Sequence, residues 1–233
     1  MALPFFYEPT VAVSSSLFEL SEETSKHCIQ VLRMRTGEQL QLTNGKGGLY
    51  TARIANEDKK HCTVTIESEK QNPPPEKKTI IAVSLLKNAS RFEWFLEKAT
   101  EVGITEIVPL ICTRTEHIRF RFDRMQQIVI SAMLQSQQSW LPILHEPVKF
   151  QELVQQNSAI QKLIAHCEED SKSPIQTISL TKSVLILIGP EGDFTPEEIK
   201  LAIHHSFQPV SLGNTRLRTE TAAMVASTFL SIR

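Results

Sequence analysis

The sequence has few of the residues that mark metal-binding, secreted or membrane-spanning proteins. Its four cysteines, at positions 28, 62, 112 and 167, lack the paired spacing of a zinc site or a disulfide framework. We therefore expect reduced thiols and no bound metal. No segment approaches the ~20 apolar residues of a membrane span, and no basic region followed by an apolar core begins the chain. These absences argue against secretion and membrane insertion, and we expect a cytoplasmic protein.

The chain also lacks an excess of either charge, because 25 lysines and arginines face 26 acidic residues and the formal net charge is −1. A surface for nucleic acid must therefore be local. The densest basic segment holds Arg114, Arg119, Arg121 and Arg124, with Phe120 and Phe122 between them. Such a mixture suits phosphate contact and base stacking. The alternative is a solvated loop whose phenylalanines fold inward. A sparser basic set is Arg33, Arg35, Lys46 and Arg53.

Glycine is scarce, with eight in 233 residues, and three of the eight lie in two short segments near the carboxyl end. In the first segment, the apolar run at residues 184–188 predicts a strand buried on both faces, which leads into Gly189 and Gly192. Residues 195–198 then supply an N-cap threonine, a proline at the first helical position and a glutamate at the third. This capping box predicts a helix that begins near Pro196.

The second segment repeats this plan. A short strand ends at Leu212, Gly213 follows, and Thr219 is expected to cap a helix that runs towards Ile232. Three glycines at two such turns predict backbone that approaches a ligand closely, although each glycine alone would suit a tight turn. No Gly-Lys-Ser/Thr of a phosphate loop follows either turn, and Glu191 would repel a pyrophosphate. We therefore favour a ligand with adenosine and cationic parts.

The proline-rich segment at residues 72–78 separates two kinds of pattern. Before it, a helix near residues 21–32 and strands at 38–42, 49–55 and 61–67, the first two joined by an Asn44-Gly45 turn, predict a small β-barrel. After it, strands and helices alternate, which indicates an α/β domain with a parallel sheet. The predicted strands there are 79–85, 104–111 and 162–166, and the predicted helices are 123–138 and one that a Ser90 capping box opens towards Val102.

Seven segments carry a family resemblance, in order along the chain: residues 27–38, 42–48, 85–87, 94–103, 109–115, 188–198 and 212–222. They resemble the RsmE family of ribosomal RNA uridine N3-methyltransferases, which belongs to the SPOUT class. The resemblance implies a SPOUT-type domain with a trefoil-knotted parallel sheet at residues 73–233. It also implies a PUA-like β-barrel that binds RNA at residues 1–72.

Three positions depart from the family pattern. Asp193 stands where a second glycine usually follows Gly192. Asn214 and Thr215 replace the usual Pro-Arg, so that the arginine comes one place later, at Arg216. The Glu-Gln pair expected in the middle helix appears as Leu134-Gln135, and Gln137-Gln138 stand where Gly-Arg is common. These departures concern substrate contacts and leave the cofactor signature intact.

The resemblance implies S-adenosylmethionine as the cofactor. The residues expected to hold it are Leu187, Gly189, Pro190, Glu191, Gly192, Leu212, Gly213, Asn214, Leu217, Thr219 and Ala222. We expect Glu191 and Arg218 to act at the reacting groups. Arg218 would stabilise the developing uridine anion, and Glu191 would face the ribose or the methionine end. The alternatives are that Arg218 pairs with Glu191 or Glu220 and that Glu191 caps nearby amides.

RNA contacts are expected at Arg33, Arg35, Lys87, Arg91, Arg114, Arg119 and Arg121. The last helix is apolar nearly all round and must be buried on more than one side, either within one monomer or in an interface. The resemblance favours a homodimer formed by this helix and the helix from Arg91 to Val102.

The expected substrate is ribosomal RNA or the small ribosomal subunit, and no general base is assigned. His166 ends a predicted strand and either touches the ligand or is a structural histidine. Two other functions remain open at this point: an RNA-binding module without catalysis, and a knotted methyltransferase that acts on another RNA such as transfer RNA.

Overall fold

The structure, a computed structural model, describes residues 3–12, 17–156, 158–168 and 171–232. Its contacts divide the chain into two compact units. The N-terminal unit comprises Met1–Pro74 together with Met133–Leu141, and the C-terminal unit comprises Pro75–Ala132 and Pro142–Arg233. The assignment of RNA binding to residues 1–72 and of catalysis to residues 73–233 stays a prediction.

The N-terminal unit contains a five-stranded sheet. Its strands are β1 (Phe5–Tyr7), β2 (Leu17–Glu19), β3 (Gln39–Thr43), β4 (Gly48–Asn56) and β5 (Thr63–Gln71). They lie in the order β1-β3-β4-β5-β2, with β1 parallel to β3 and the other pairs antiparallel. The three longer strands overlap the predicted ones. Strands β1 and β2 were not predicted, because three-residue strands carry too little periodicity to be recognised.

Alternate side chains of this sheet face a single core. Leu40 and Leu42 of β3 are fully buried, as are Cys28 and Cys62. Burial raises the pKa of the Cys28 thiol to about 12 and that of Cys62 to about 11. Both thiols are therefore neutral at physiological pH and pack as small apolar groups.

The helix predicted at residues 21–32 is two segments, α1 (Glu22–Lys26) and a π-helical turn (His27–Val31). Ser21 caps α1, and its Oγ accepts a hydrogen bond from Thr24 N. The wider turn is closed by Leu32 N, which donates to His27 O five residues earlier at 2.9 Å. Arg33 follows with φ +56° and ends the segment. Hydrophobic spacing does not distinguish an α-turn from a π-turn, so the prediction of one helix was wrong at its carboxyl half.

The predicted two-residue turn at Asn44 is a longer connection between β3 and β4. Asn44 Oδ1 accepts hydrogen bonds from Lys46 N and Gly48 N. Gly47 has φ +88°, and a Cβ placed on it would lie 2.7 Å from Trp140. Gly47 N also donates to Ser139 O at 2.8 Å. Packing against residues 139–141, which lie far away in sequence, therefore decides this loop.

The C-terminal unit is built on an eight-stranded parallel sheet. Its strands are β6 (Lys78–Ser84), β7 (Glu106–Ile111), β8 (Ile143–Leu144), β9 (Val148–Lys149), β10 (Gln161–Ala165), β11 (Ser173–Pro174), β12 (Ser183–Ile188) and β13 (Gln208–Ser211). The order is β11-β13-β10-β12-β6-β7-β8, and β9 also pairs with β7. Every pair is parallel, which confirms the predicted α/β class.

The unit's helices are α2 (Ala89–Glu101), α3 (Phe122–Gln135, which ends in the N-terminal unit), α4 (Phe150–Gln156), α5 (Pro196–His204) and α6 (Thr219–Ile232). The predicted capping box at Thr195 and Glu198 is confirmed in both directions. The Ser90 capping box is wrong, because the N-cap is Asn88, whose Oδ1 accepts from Ser90 N at 2.9 Å. Asparagine is as good an N-cap as serine, so the sequence offered two competing starts.

Two other helix ends differ from the prediction. α3 stops at Gln135 rather than Gln138, because Gln137 takes φ +55° and Gln138 N donates back to Met133 O. Thr219 is the first residue of α6 rather than its cap. The carbonyl of Arg218 accepts the first helical hydrogen bond, from Ala222 N at 2.8 Å, and this places Arg218 at the N-cap.

The order of the central strands determines where loops meet. β13, β10 and β12 are neighbours, and they end at Ser211, Ala165 and Ile188 respectively. Since parallel strands end at one edge of the sheet, the three following loops come together there. Ligands of α/β proteins bind at this carboxyl edge.

Candidate functional site

A cavity of about 700 Å³ lies at the carboxyl ends of β10, β12 and β13. Its wall is formed by the loops that follow these strands and by the first turn of α6. The volume falls within the ~300–1,000 Å³ typical of ligand cavities. A second cavity, of about 480 Å³, is lined by Lys78, Glu106 and Ser183, which begin β6, β7 and β12. That cavity lies at the opposite, amino edge, so the first is the candidate site.

The structure brings most of the predicted cofactor residues together in the wall of the first cavity. They are Gly189, Pro190, Glu191, Leu212, Gly213, Asn214, Leu217, Thr219 and Ala222, joined by Arg218. Two other predicted residues, Leu187 and Gly192, are described by the structure and lie outside the wall. Leu187 is fully buried within the core of the sheet. The carbonyl of Gly192 accepts a hydrogen bond from Arg114 at 2.6 Å.

His166 lines the cavity after β10, which fits the ligand-contact alternative given for it. Part of the wall was not predicted: Cys167 and Lys172 line the cavity after β10, and Asp193 and Arg216 line it from the other two loops. Residues 162–166 had been predicted as a strand, so the rule that ligands bind beyond the carboxyl ends of strands would have found Cys167. Lys172 gave no signal of its own. Its Nζ donates to the carbonyls of His166 and Glu168, which folds the segment back over the end of β10.

The first glycine loop, residues 189–194, is held by close packing. We call it the motif loop. A Cβ on Gly189 would lie 3.1 Å from the backbone N and the ring of Phe194. The Phe194 ring is fully buried and packs on Phe150 at 5.2 Å between centroids. Gly189 is therefore explained by the approach of the chain to its own aromatic anchor, and its backbone also lines the cavity.

Two carboxylates of the motif loop line the cavity and accept hydrogen bonds from backbone amides. Glu191 Oε1 accepts from Lys87 N at 3.2 Å, which fits the amide-capping alternative of the sequence analysis. Asp193 Oδ2 accepts from Cys167 N at 2.7 Å, and its Oδ1 accepts from Phe194 N at 2.8 Å. Asp193 has φ +63°, a conformation that aspartate tolerates better than most residues with a side chain. This explains how it occupies a position where glycine is usual.

The second glycine loop carries the positive side of the cavity. Gly213 has φ +138°, and a Cβ there would meet open space. Arg216 and Arg218 are exposed, line the cavity and form no salt bridge with any residue that the structure describes. Within that part of the chain, Arg218 pairs with neither Glu191 nor Glu220, and Glu220 instead lies 3.5 Å from Arg91. The positive end of the α6 dipole adds to this field.

The cysteines of this unit are poor nucleophiles. Burial and the nearby Glu198 carboxylate raise the pKa of the Cys112 thiol to about 12. Burial and Asp193 also raise the pKa of Cys167 above its ordinary value. A thiolate is thus disfavoured at both positions, and the chemistry of the cavity rests on its carboxylates, its arginines and its backbone.

The basic segment of the C-terminal unit has two kinds of arginine. Arg114 donates to backbone carbonyls of the motif loop, and Arg124 pairs with Glu93 through two hydrogen bonds of 2.6 and 2.8 Å. Arg119 and Arg121 are exposed and form no salt bridge within the described residues. Phe120 packs on the buried Phe92 at 6.1 Å, so this ring folds inward. Arg119 and Arg121 are the arginines left available for phosphate.

The remaining RNA candidates are partly engaged. Lys87 lies 2.8 Å from Glu116, and Arg91 lies near Glu220. In the N-terminal unit, Arg35 lies 3.6 Å from Glu57, whereas Arg53 pairs with Glu67 and donates to Gly37 O. Arg33 and Lys46 are exposed and form no salt bridge with a described residue. The RNA contacts stay predictions.

The described ranges contain neither a membrane-spanning helix nor a cluster of metal ligands. No helix there has both the length and the apolar character needed to cross a membrane. No group of three or more histidine, cysteine, aspartate or glutamate side chains is arranged to hold a metal ion there.

Two protein-family matches identify the class of this chain. Residues 73–231 match the RNA methyltransferase domain, and residues 20–67 match the RNA methyltransferase PUA domain. The two matches cover the parallel-sheet domain and most of the small β-domain. The protein is thus of the RNA methyltransferase class.

Individual relatives narrow this class. The ribosomal RNA small subunit methyltransferase E of Rickettsia conorii is 30% identical over 217 residues, which are 91% of this chain and 88% of the relative. The enzyme of that name from Neisseria gonorrhoeae, solved with S-adenosyl methionine, is 30% identical with a TM-score of 0.87 and covers 97% of this chain and 95% of its own. A Legionella pneumophila protein solved in complex with SAM is 33% identical, with a TM-score of 0.89 over 100% and 98% of the two chains. The chain belongs to the ribosomal RNA small subunit methyltransferase E family. The family resemblance is confirmed, whereas the trefoil knot stays a prediction.

Proposed function

We propose that the cavity binds S-adenosylmethionine and that the protein methylates N3 of a uridine in small-subunit ribosomal RNA. The observation that carries this proposal is the cavity itself, in which two separate glycine loops and the start of α6 meet at the carboxyl edge of the sheet. Relatives solved with the same cofactor align over nearly the whole chain. Action on ribosomal RNA would place the protein in the cytoplasm.

The residues present fit this cofactor. Gly189 and Gly213 both line the cavity, and the backbone amides and carbonyls of their loops suit the adenine and ribose edges. An added Cβ at Gly213 would meet open space, so no protein atom crowds the backbone there. Glu191 and Asp193 place negative charge in the same wall, which suits a cationic ligand. When bound, S-adenosylmethionine supplies an electrophilic methyl group.

The protein's own part in the reaction is to position the uridine and to stabilise its charge. Loss of the N3 proton leaves negative charge on the uridine ring. Arg218 is exposed to the cavity at the amino end of α6, where the helix dipole has the same sign as the guanidinium. The guanidinium and the helix dipole both favour an anion at this place. We therefore propose that Arg218 stabilises the deprotonated base.

The function is tested directly by methyl transfer in vitro. Purified protein is incubated with labelled S-adenosylmethionine and with naked small-subunit ribosomal RNA, assembled small subunits or transfer RNA. The proposal requires label in ribosomal RNA, which nuclease digestion then identifies as N3-methyluridine. Label only in transfer RNA would favour the alternative of a knotted methyltransferase that acts on transfer RNA. Label at another atom of the uridine would refute the N3 assignment.

For RNA binding, we propose that Arg119 and Arg121, the two exposed arginines just before α3, make phosphate contacts. Replacing Arg119 and Arg121 together by alanine should weaken RNA binding and reduce the slope of log affinity against log salt by about 1.4 to 2 units. The affinity for S-adenosylmethionine should not change. The charge-matched control is Lys59→Ala with Lys60→Ala, two exposed cations between β4 and β5. Equal losses in both double variants would show that only overall charge matters.

We also propose that the protein is a homodimer that uses α2 and α6. These helices pack against each other within the chain, yet they leave apolar side chains partly exposed. Trp94 on α2 is 44% exposed, Ile232 on α6 is 77% exposed, and Met224 and Phe229 are half-buried. Apolar surface of this kind is typical of an interface.

A charge on this surface should separate the subunits. Met224→Glu or Phe229→Glu would bury an unpaired carboxylate in the interface, which is strongly unfavourable. Light scattering should then report a monomer and the methylation assay a loss of activity. Ile203→Glu is the control, because Ile203 is a 44% exposed apolar residue on α5. A wild-type protein that is monomeric at micromolar concentration would contradict the dimer.

A further inference from the structure

We infer that Arg114 is a positioning residue for the cofactor cavity: its guanidinium holds the motif loop in the shape that binds the methyl donor. The inference rests on the proposed function, because it concerns the same cavity. It assigns to Arg114 a role different from the RNA contact that its place in the basic segment predicts.

The contacts of Arg114 are made to the backbone of the motif loop. Its Nη1 donates to Gly192 O at 2.6 Å and to Phe194 O at 3.3 Å. The side chain also lies along the loop, since a Cβ placed on Gly192 would be 3.3 Å from Arg114 Cδ. Gly192 therefore leaves room for the close approach of the Arg114 side chain.

Arg114 acts on the cavity from outside. Neither Arg114 nor Gly192, both of which the structure describes, belongs to the cavity wall, whereas Pro190, Glu191 and Asp193 of the same loop do. Any effect of Arg114 on a ligand must therefore pass through the position of the loop. Hydrogen bonds to a charged donor are stronger than neutral ones, so Arg114 is suited to this task.

Hydrogen bonds from three other segments of the chain hold the motif loop. Arg114 binds its carbonyls, Cys167 N donates to the Asp193 carboxylate at 2.7 Å, and Lys87 N donates to Glu191 at 3.2 Å. Only the Arg114 contact is made by a charged side chain to backbone carbonyls. It neutralises none of the carboxylates that face the cavity.

The segment that carries Arg114 is itself fixed. Thr113 donates from its backbone N and its Oγ1 to the buried Glu198 carboxylate at 2.8 and 3.0 Å. Thr115 Oγ1 accepts from Cys112 N and lies 2.9 Å from Ser84 Oγ. Arg114 thus extends from a rigid anchor, as a residue that positions a loop requires.

The test measures S-adenosylmethionine affinity by calorimetry in the absence of RNA. Arg114→Ala should raise Kd about tenfold, which is the effect of one charge-assisted hydrogen bond at an exposed site. Arg114→Lys keeps a cationic donor and should recover part of the affinity. Steady-state kinetics should show the change in KM for the cofactor, with kcat less affected.

Arg124→Ala is the matched control. Arg124 lies ten positions further along the same basic segment and is also exposed. The Arg124→Ala variant loses two hydrogen bonds to Glu93, whereas Arg114→Ala loses two to the motif loop. We expect unchanged cofactor affinity in this variant. A purely structural or general charge effect would move both variants together, and that result would overturn the inference.

A second readout needs no cofactor. Amide hydrogen exchange across residues 189–194 should become about tenfold faster in Arg114→Ala than in the wild type. The loop loses the hydrogen bonds from Arg114 to its carbonyls and therefore opens more often. Unchanged exchange and unchanged Kd, with weaker RNA binding alone, would show that Arg114 is an RNA contact and refute the positioning role. Faster exchange in a protein whose wild type binds no S-adenosylmethionine would instead refute the proposed function and leave Arg114 as a support of the loop.

Discussion

Replacing Arg218 by alanine is expected to slow methyl transfer about a hundredfold or more in a single turnover. Removal of one donor that stabilises an oxyanion in an enzyme costs about 2.7–4 kcal/mol, and Arg218 faces the cavity without a salt-bridge partner among the described residues. RNA binding and S-adenosylmethionine affinity should be largely retained, because the arginine acts on charge that develops during the reaction.

The matched control is Arg216→Ala, which removes the same charge from the same wall two positions earlier. Arg218→Lys adds a second control, since it keeps the charge but loses the planar guanidinium. We expect Arg216→Ala to be clearly faster than Arg218→Ala, and Arg218→Lys to fall between Arg218→Ala and the wild type. Equal rates for Arg216→Ala and Arg218→Ala would assign the effect to the overall electrostatic potential of the cavity. A wild-type rate for Arg218→Ala would refute its role in stabilising the uridine anion.

Gly213→Val is expected to weaken S-adenosylmethionine binding by about tenfold to a hundredfold. Gly213 has φ +138°, where a β-branched residue is strained by about 1–3 kcal/mol, and it lies in the cavity wall. If the loop keeps its shape, the valine side chain enters the cavity wall under strain. If the loop relaxes, its backbone moves away from the position that binds the cofactor. A change of 1.4 kcal/mol corresponds to a tenfold change in Kd, so calorimetry detects either outcome.

Gly103→Val separates strain from the cavity. Gly103 has φ +86° and, like Gly213, has no atom within 4 Å of an added Cβ, but it follows α2 and lies outside the cavity wall. Both variants should lose comparable thermal stability, and only Gly213→Val should lose cofactor affinity. If the folded Gly213→Val protein binds S-adenosylmethionine as the wild type does, the second glycine loop is not part of the site.

The elements that could be predicted from the sequence are those with strong local signals. The continuous apolar run of β12 and the capping box at Thr195 each admit one structure, and both are confirmed. The prolines of the predicted break at residues 72–78 lie between two strands, because β5 ends at Gln71 and β6 begins at Lys78, so the break is one residue shorter than predicted. Three prolines leave no other choice there.

Other elements depend on contacts that no local pattern contains. The strands β8, β9 and β11 have two residues each and exist because a longer strand lies beside them. The loop after Asn44 is set by Trp140 and Ser139, almost a hundred positions away. At the start of α2, Asn88 and Ser90 are both good caps, and the sequence does not decide between them.

The candidate site shows the same division. The scarcity of glycine in this chain predicted a site at the two glycine turns, and the family resemblance supplied the residues expected to hold the cofactor there. Leu187 lies outside the wall because it belongs to a strand buried on both faces, and Gly192 because it makes room for Arg114. Lys172 enters the wall only through its hydrogen bonds to two carbonyls, which are a property of the folded segment.

The most direct test of the central claim is mass mapping of small-subunit ribosomal RNA from a strain that lacks this protein. The proposed function predicts one uridine that carries an N3-methyl group in the parent strain and none in the deletion strain. The wild-type gene should restore this methyl group, and the Arg218→Ala variant should restore much less of it. Identical methylation of the ribosomal RNA in both strains would contradict the claim.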